Sequence, residues 1–144
     1  MDKIFDDENR IVSEEFGEYG TREINALTHT IIGSSMEVYN TIGRGFLESV
    51  YKDCLCLEFE KRKIKYQKEK QYNICYKGVQ IPHHYFADFL VEEKIILEVK
   101  AQNSVIAENH KQIINYLAVS GCKIGLLINF GESSLKYKRF ILTK

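Results

Sequence analysis

The stretch Ile95-Ile96-Leu97-Glu98-Val99-Lys100-Ala101 is an apolar run that one acid and one base interrupt. A short apolar run of this kind is typical of a strand that lies inside a sheet. Since side chains at i and i+2 lie on the same face of a strand, Glu98 and Lys100 point to the same side. Burying a lone charge is costly, so a strand this apolar carries two charges only if they are paired or functional.

The segment before this strand places a second acid opposite Glu98. Residues 92–94 predict a three-residue hairpin loop, in which Val91 pairs with Ile95. Asp88 then lies directly opposite Glu98, with Cβ atoms about 4.5–5.5 Å apart on the same face. The other face is expected to belong to the core, because it carries only Phe89, Val91, Ile95, Leu97 and Val99.

Two carboxylates at this separation support two interpretations. Because like charges repel, a carboxyl pKa rises unless a cation lies between the two groups. Hard carboxylate oxygens suit Mg²⁺ or Mn²⁺, so Asp88 and Glu98 are predicted metal ligands with Lys100 beside them. The alternative is a salt-bridged triad of the same three side chains, which joins the two strands and has no chemical role.

Apolar residues at helical spacing predict two helices near the start of the chain. The first helix has Asn25 as its cap and stops at Gly43-Arg44-Gly45, because glycine readily adopts the left-handed conformation of a helix end. The second helix covers residues 46–61, and its predicted apolar stripe consists of Leu47, Val50, Cys54 and Leu57. The chain is therefore expected to open with a helical pair.

Aromatic, β-branched and alternating residues predict the remaining elements. Strands are expected at 66–76, in the stretch that Pro82 heads after the hairpin turn of Lys77-Gly78, at 84–91 and at 94–101. A helix at 105–120 and strands at 123–130 and 138–142 follow, the last at the sheet edge. Pro82 lies at the head of a strand, where its missing amide hydrogen is harmless. A crossover helix makes the strands that it joins parallel. The order α-α-β-β-β-β-α-β-β thus predicts one α/β or α+β domain, with a mixed central sheet flanked by helices.

Composition and charge limit the class of protein. The chain has 144 residues, of which 44% are hydrophobic and 28% charged, values that are typical of one soluble globular domain. It has no apolar run of the roughly 18–20 residues that span a membrane, and its start is acidic, unlike a secretory signal. The four cysteines, Cys54, Cys56, Cys75 and Cys122, show no CxxC spacing, which predicts reduced thiols in a cytoplasmic protein.

The net charge is zero but unevenly distributed. Residues 1–23 hold eight acids and three bases, a net charge of −5, and are expected to form a loosely ordered N-terminal arm. Residues 24–144 hold twelve acids and seventeen bases, a net charge of +5, and are expected to form the single domain. A dense basic run extends from Lys61 to Lys70 and consists of Lys61, Arg62, Lys63, Lys65, Lys68 and Lys70 against Glu69. This run predicts either a nucleic-acid contact or simply a solvated helix end.

These motifs together resemble a known family. Asp88, followed after nine intervening residues by Glu98-Val99-Lys100 and then by a helix with Gln112, resembles the PD-(D/E)XK nuclease superfamily. Within that superfamily, Gly45-Phe46-Leu47-Glu48-Ser49-Val50-Tyr51 resembles the pattern that names the GxxExxY protein family. Residues 108–117 and 125–131 also resemble that family, and the likeness covers about residues 25–142.

The resemblance implies a restriction-endonuclease-like core and a divalent-metal-dependent nuclease that hydrolyses DNA or RNA. By that likeness Mg²⁺ or Mn²⁺ is held by Asp88, Glu98, the Val99 carbonyl and Glu48, the last directly or through a water molecule. Lys100 positions or deprotonates the attacking water, and Gln112 orients water or phosphate. Tyr51 is interpreted as a ring at the edge of the core whose hydroxyl finds a partner.

Two other functions stay open at this point. One is a catalytically inactive module that keeps the fold and binds nucleic acid or a protein partner through the basic run of residues 61–70. The other is a component of a larger assembly, for which the sequence offers no positive sign beyond its small size.

Overall fold

The computed structural model describes the backbone of residues 11–14 and all of residues 22–142. Within these residues the chain forms three helices and six strands. In order they are β1 (Ile11–Glu14), α1 (Arg22–Ile42), α2 (Glu48–Lys61), β2 (Tyr66–Tyr76), β3 (Val79–Val91), β4 (Ile95–Lys100), α3 (Ala107–Ser120), β5 (Ile124–Asn129) and β6 (Lys136–Leu142).

The six strands form one sheet in the spatial order β1-β6-β5-β4-β3-β2. Strands β4 and β5 pair in parallel, as expected for strands that α3 connects, and all other neighbours are antiparallel. All six residues of β5 are buried, as its apolar sequence predicts. The predicted mixed sheet with flanking helices is confirmed.

Each face of the sheet has its own hydrophobic core. The first core lies between the sheet and helices α1 and α2, and the second lies beneath α3. Strand β4 contributes to both, since Leu97 and Val99 belong to the first core and Ile96 to the second. The predicted apolar face is thus confirmed, and the face that carries Glu98 is covered as well. Buried charges on β4 are therefore held inside protein rather than at an open surface.

The predicted apolar stripe of α2 is wrong. Its buried residues are Tyr51, Leu55 and Phe59, whereas Leu47 is 76% exposed and Leu57 69% exposed. Tyr51, Leu55 and Phe59 also follow helical spacing, and their two large rings remove more apolar surface from water than the predicted set does. This rotation of α2 decides which of its polar residues face the sheet.

The predicted count of four strands before the last helix is also wrong, because residues 79–91 form one continuous strand. Pro82 is the fourth residue of β3 rather than a residue at its head. Strand β3 pairs with β4 only from Phe89 to Val91, so the neighbourhood of Pro82 has a partner strand on one side alone. A missing amide hydrogen costs little where no second strand needs it.

The start and end of the domain differ from the prediction at three points. Strand β1, inside the predicted N-terminal arm, pairs with β6, so β6 is internal and not an edge strand. The rest of residues 1–21 lies outside the described residues. Helix α1 begins at Arg22, and Asn25 is no cap, since its side-chain oxygen accepts a hydrogen bond from Arg139 at 2.6 Å.

Two general expectations concern the whole described range. All four cysteines lie within it and none forms a disulfide, as predicted. No helix among the described residues is both long and apolar enough to cross a lipid bilayer.

Candidate active site

The predicted register of the central hairpin is confirmed. Val91 pairs with Ile95 and Phe89 with Leu97, joined by the loop of residues 92–94. Glu92 and Glu93 both adopt a positive φ, 51° and 59°, which allows the chain to reverse within three residues. Continued by one residue, this register sets Asp88 opposite Glu98.

At Asp88 and Glu98 the ordinary strand pairing gives way to side-chain hydrogen bonds. The amide of Asp88 donates to Oε2 of Glu98 at 2.7 Å, and the amide of Val99 donates to Oδ2 of Asp88 at 2.8 Å. Each carboxylate therefore accepts a backbone amide of the opposite strand. The two hydrogen bonds fix both acids in place, and the one to Asp88 is strengthened when that carboxylate is charged.

The side chains of the β2–β3 hairpin change from one face of the sheet to the other at Asp88. Phe89 lies in the first core but Ala87 in the second, although residues two apart normally share a face. In the same way, Tyr66 packs against the first core and Tyr72 against the second. Asp88 and Glu69 lie between the paired residues Lys68–Phe89 and Lys70–Ala87. Glu69 has a left-handed φ of 54°. A strained backbone inside a strand is uncommon outside functional sites.

This change of face brings Lys52 and Glu69 to the site, two residues that the sequence did not indicate. Lys52 of α2 donates to Oδ1 of Asp88 at 3.0 Å and to Oε1 of Glu69 at 2.7 Å. Its side chain is 13% exposed. Burial lowers the pKa of Lys52, but hydrogen bonds to the two carboxylates raise it well above its ordinary value. Lys52 is thus a charged ammonium group held against the first acid of the site.

The predicted salt-bridged triad is wrong, because Lys52 and not Lys100 pairs with Asp88. Among the residues from 22 to 142, Lys100 has no carboxylate within 4.0 Å of its ammonium group. Its charge still lowers the pKa of Glu98 and Glu48. Lys100 is half-buried at the end of β4, close to the acids and without a salt bridge to either of them.

The backbone after Lys100 is held firmly. Phe130 donates its amide to the Lys100 carbonyl at 2.8 Å. The buried Asn129 side chain accepts the Gln102 amide at 2.9 Å and donates to the Gln102 carbonyl at 3.0 Å. Gly131 approaches the Gln102 backbone so closely that a side chain there would overlap it. These contacts fix the direction in which Lys100 leaves the sheet.

Glu98 is the most strongly perturbed carboxyl group of the site. It is 2% exposed. Burial raises its pKa to about 8, and the Asp88 charge adds to this, while the Asp88 amide and the charges of Lys100 and Lys52 oppose it. A carboxyl group in this state gains from a cation placed beside it.

The Gly45, Glu48 and Tyr51 pattern has a physical explanation. Gly45 has a φ of 108°, which side chains rarely allow, and it precedes α2. Tyr51 is fully buried, donates to the Gly43 carbonyl at 2.7 Å and accepts the Phe46 amide at 3.2 Å. The predicted partner for its hydroxyl is confirmed. These contacts set the start of α2 and hence the position of its first residue, Glu48.

Glu48 is half-buried and lies within electrostatic reach of the other acids. Burial raises its pKa, Lys100 lowers it, and Asp88 raises it further. Gln112 lies on α3 four residues before Tyr116, and its side chain lowers the pKa of the Tyr116 hydroxyl. Burial raises the pKa of the Tyr116 hydroxyl, and the charges of Glu98 and Asp88 raise it further. Asp88, Glu98, Glu48 and Lys100 therefore lie within electrostatic reach of one another, whereas Gln112 is linked only to Tyr116.

The donor set fits a hard divalent cation. Within the described ranges, no three His, Cys, Asp or Glu side chains are close enough to form a metal-binding group of their own. Mg²⁺, however, is commonly held by one or two carboxylates, with water and phosphate oxygens completing its shell. Asp88 and Glu98 supply two buried carboxylates at one point, so they meet this requirement.

Residues 61–65 of the predicted basic run lie away from the acids, whereas Lys68 and Lys70 flank Glu69 in β2. Lys61 ends α2, about 20 Å along the helix from Glu48. Acids pair with two bases of the run, since Arg62 lies 3.2 Å from Glu58 and Lys68 lies 2.6 Å from Asp53. The run is therefore partly neutralised.

A mixed sheet between α1 and α2 on one face and α3 on the other, with Asp88 and Glu98-Val99-Lys100 on adjacent central strands, is a restriction-endonuclease-like α+β fold. The sequence model of the PD-(D/E)XK nuclease superfamily matches residues 25–140. The chain therefore belongs to the PD-(D/E)XK nuclease superfamily, whose nucleases generally use divalent metals. No curated protein and no solved structure matches the chain.

Proposed function

We propose that this protein is a divalent-metal-dependent nuclease that hydrolyses phosphodiester bonds in nucleic acid. The observation that carries the proposal is the reciprocal hydrogen bonding of Asp88 and Glu98 across β3 and β4, with Lys100 two residues beyond Glu98. Two buried acids held together store repulsion that a bound cation relieves. Superfamily membership supports the same function.

The residues proposed to hold Mg²⁺ or Mn²⁺ are Asp88, Glu98, the Val99 carbonyl and Glu48. When bound, the ion activates water and neutralises charge on the phosphate oxygens. We assign to Lys100 the positioning or deprotonation of the attacking water. Its charge lowers the pKa of both Glu98 and Glu48, and among residues 22–142 no carboxylate lies within 4.0 Å of its ammonium group. Gln112 is assigned to orient water or phosphate, with Tyr116 holding its amide.

We also place the chain, as a proposal, in the GxxExxY branch of the superfamily. Each residue of the pattern has a physical role. Gly45 permits the turn before α2, and the Tyr51 hydroxyl stabilises that turn. Glu48 is then the first residue of α2 and lies beside the site. In this interpretation Glu48 is the acid that the first helices contribute. Replacing Tyr51 with Phe is expected to weaken activity through Glu48 without removing the ligands on β3 and β4.

A cleavage assay tests the proposed function. Labelled single-stranded and duplex DNA and RNA are incubated with Mg²⁺ or Mn²⁺ and with the wild type, Glu98→Gln or Lys100→Met. We expect each substitution to lower the cleavage rate by about a hundredfold or more, in line with the usual contribution of acid–base and metal-site groups. Glu98→Gln keeps a hydrogen-bond acceptor for the Asp88 amide, so loss of folding is not the expected cause.

The chain offers a matched control in a second Glu-x-Lys pair, Glu92 and Lys94, which lies in the hairpin loop. Glu92→Gln and Lys94→Met change the same chemistry away from the acids and should leave the rate within about twofold of the wild type. Equal activity of Glu98→Gln, Lys100→Met and the wild type would contradict the proposed mechanism.

The inactive binding module gives a different outcome in the same samples. It predicts salt-sensitive binding with no cleavage under any metal, and loss of binding when Lys61, Arg62 and Lys63 are neutralised. Nucleic acid remains the proposed ligand of this run, Lys65 included, on the ground of its charge alone.

A further inference from the structure

The β2–β3 hairpin projects beyond the rest of the sheet. Strand β3 has 13 residues, but only Phe89, Leu90 and Val91 pair with β4. Residues 70–87, which we call the arm, lie on the far side of the Glu69 and Asp88 positions from these pairs. From Glu69 to Tyr76 the arm extends about 23 Å at the usual strand rise. The arm therefore begins at the candidate active site and leads away from it.

The arm carries only positive charge. No Asp or Glu occurs from residue 70 to residue 87, although acids stand at both of its borders, Glu69 and Asp88. Lys70 and Lys77 give it a charge of +2, and His83 and His84 lie exposed on β3. In a chain of zero net charge, an acid-free stretch of this length favours a polyanion.

Aromatic rings accompany these charges at the surface. Tyr76 is 63% exposed and Phe86 49% exposed. The Lys77 ammonium lies 5.4 Å from the centre of the Tyr76 ring, and the Lys70 ammonium lies 5.8 Å from the centre of the Tyr72 ring. Neighbouring rings and lysines on an extended strand can stack bases and neutralise phosphates together.

The base of the arm packs against the second core, and this packing sets its direction. Tyr72 and Tyr85 face each other across β2 and β3 and pack against the second core. Tyr85 also meets Tyr116 of α3 edge to face, with ring centres 5.9 Å apart. A polymer that lies along the arm is therefore directed toward Asp88 and Glu98 rather than toward the end of α2.

We propose that the arm binds single-stranded nucleic acid, with bases on the rings of Tyr76 and Phe86 and phosphates near Lys70 and Lys77. An unpaired strand fits better than a duplex, because rings on a strand can stack only on bases that are not already enclosed in a helix. DNA and RNA share this chemistry. That the bound strand is also the substrate rests on the proposed function, but the binding itself does not.

Fluorescence anisotropy tests the arm with 20-nucleotide oligothymidylate, oligouridylate and a DNA duplex, all in EDTA so that no cleavage takes place. Tyr76→Ala and Phe86→Ala should each weaken single-strand binding about fivefold or more, and Tyr76→Phe should restore it. Lys70→Gln and Lys77→Gln should each reduce the slope of log affinity against log salt by about 0.7. Preference for one of the two single strands identifies DNA or RNA as the ligand.

Matched controls lie on other elements. Tyr137→Ala removes a 44% exposed ring on β6, and Lys123→Gln removes an exposed lysine just before β5. Both should bind as the wild type does. The proposal is overturned if arm and control variants bind equally, if the duplex binds as tightly as the single strands, or if no nucleic acid binds. Weakened binding by arm variants in a protein without nuclease activity supports the arm and contradicts only the proposed function.

Discussion

The ammonium group of Lys52 lies 3.0 Å from Oδ1 of Asp88, so the first acid of the candidate site is already paired with a cation of the protein itself. Glu69 holds the other side of Lys52 at 2.7 Å. Lys52 therefore already reduces the repulsion between Asp88 and Glu98 before a divalent ion binds to them. Lys52 thus acts as a tethered counter-ion, and its removal should change both stability and metal affinity.

Lys52→Gln should lower the free energy of unfolding in EDTA by about 1–3 kcal/mol, because it leaves Asp88 buried without its cation. Mn²⁺ should then raise the melting temperature of this variant more than that of the wild type, since no tethered cation competes for the carboxylate. Thermal melts with and without Mn²⁺ measure both effects.

The control for Lys52 is Lys68→Gln, which breaks an ion pair of similar length with Asp53 at the surface. Exposed pairs contribute little, so this variant should stay within about 0.5 kcal/mol of the wild type. Equal melting temperatures for Lys52→Gln and the wild type would show that the counter-ion has no energetic role.

Glu98→Gln should change how stability depends on pH. Because burial raises the pKa of Glu98 to about 8, the folded state holds a proton that the unfolded state has released above about pH 4.5. Stability should therefore fall as pH rises through this window, by at most about 1.4 kcal/mol per pH unit from this group. Glu98→Gln should flatten the fall and gain stability at pH 8. Urea unfolding at several pH values measures the free energy of unfolding of both proteins. The same pH dependence in the two would contradict the raised pKa.

Glu69 provides a test of the strained backbone. Glycine normally weakens a strand relative to alanine, but at a φ of 54° the order should reverse. Both Glu69→Gly and Glu69→Ala lose the contact with Lys52, so the difference between them isolates the backbone. We expect the Gly variant to be more stable by about 1 kcal/mol in chemical denaturation. A more stable Ala variant would mean that β2 is regular at this point.

Gly131→Ala should destabilise the fold and displace Lys100. A Cβ at position 131 would meet the backbone nitrogen and oxygen of Gln102, two residues after Lys100, and neither can move like a flexible side chain. We expect a loss of about 1–3 kcal/mol by calorimetry. Gly33→Ala is the matched control in α1, where the nearest atom is a side-chain nitrogen of Arg62 at 3.4 Å, and it should be neutral or stabilising. Equal tolerance of both substitutions would argue against the close approach at Gly131.

The central hairpin could be predicted because its signal is local. The three residues 92–94 fix the register, and that register alone sets Asp88 opposite Glu98. The crossover helix likewise predicts parallel pairing of β4 and β5. These features depend on loop length and chain order, both of which can be taken directly from the sequence.

The counter-ion could not be predicted from strand alternation, because alternation fails at the Asp88 and Glu69 positions. Lys52 had one usable signal, since it lies four residues after Glu48 and so on the same face of α2. The predicted apolar stripe, with Leu47 and Leu57, instead placed the wrong face of α2 against the sheet. Strand β1 was missed because its four residues show no period long enough to identify.

The most direct test of the site is the affinity for Mn²⁺, measured by titration calorimetry with a cleavage-resistant phosphorothioate single strand present. The wild type should bind the ion, and Asp88→Asn and Glu98→Gln should each bind it about tenfold or more weakly. Asp53→Asn, which changes an exposed acid on the same helix as Lys52, should match the wild type. Equal Mn²⁺ affinity in all four proteins would contradict the assignment of Asp88 and Glu98 as metal ligands.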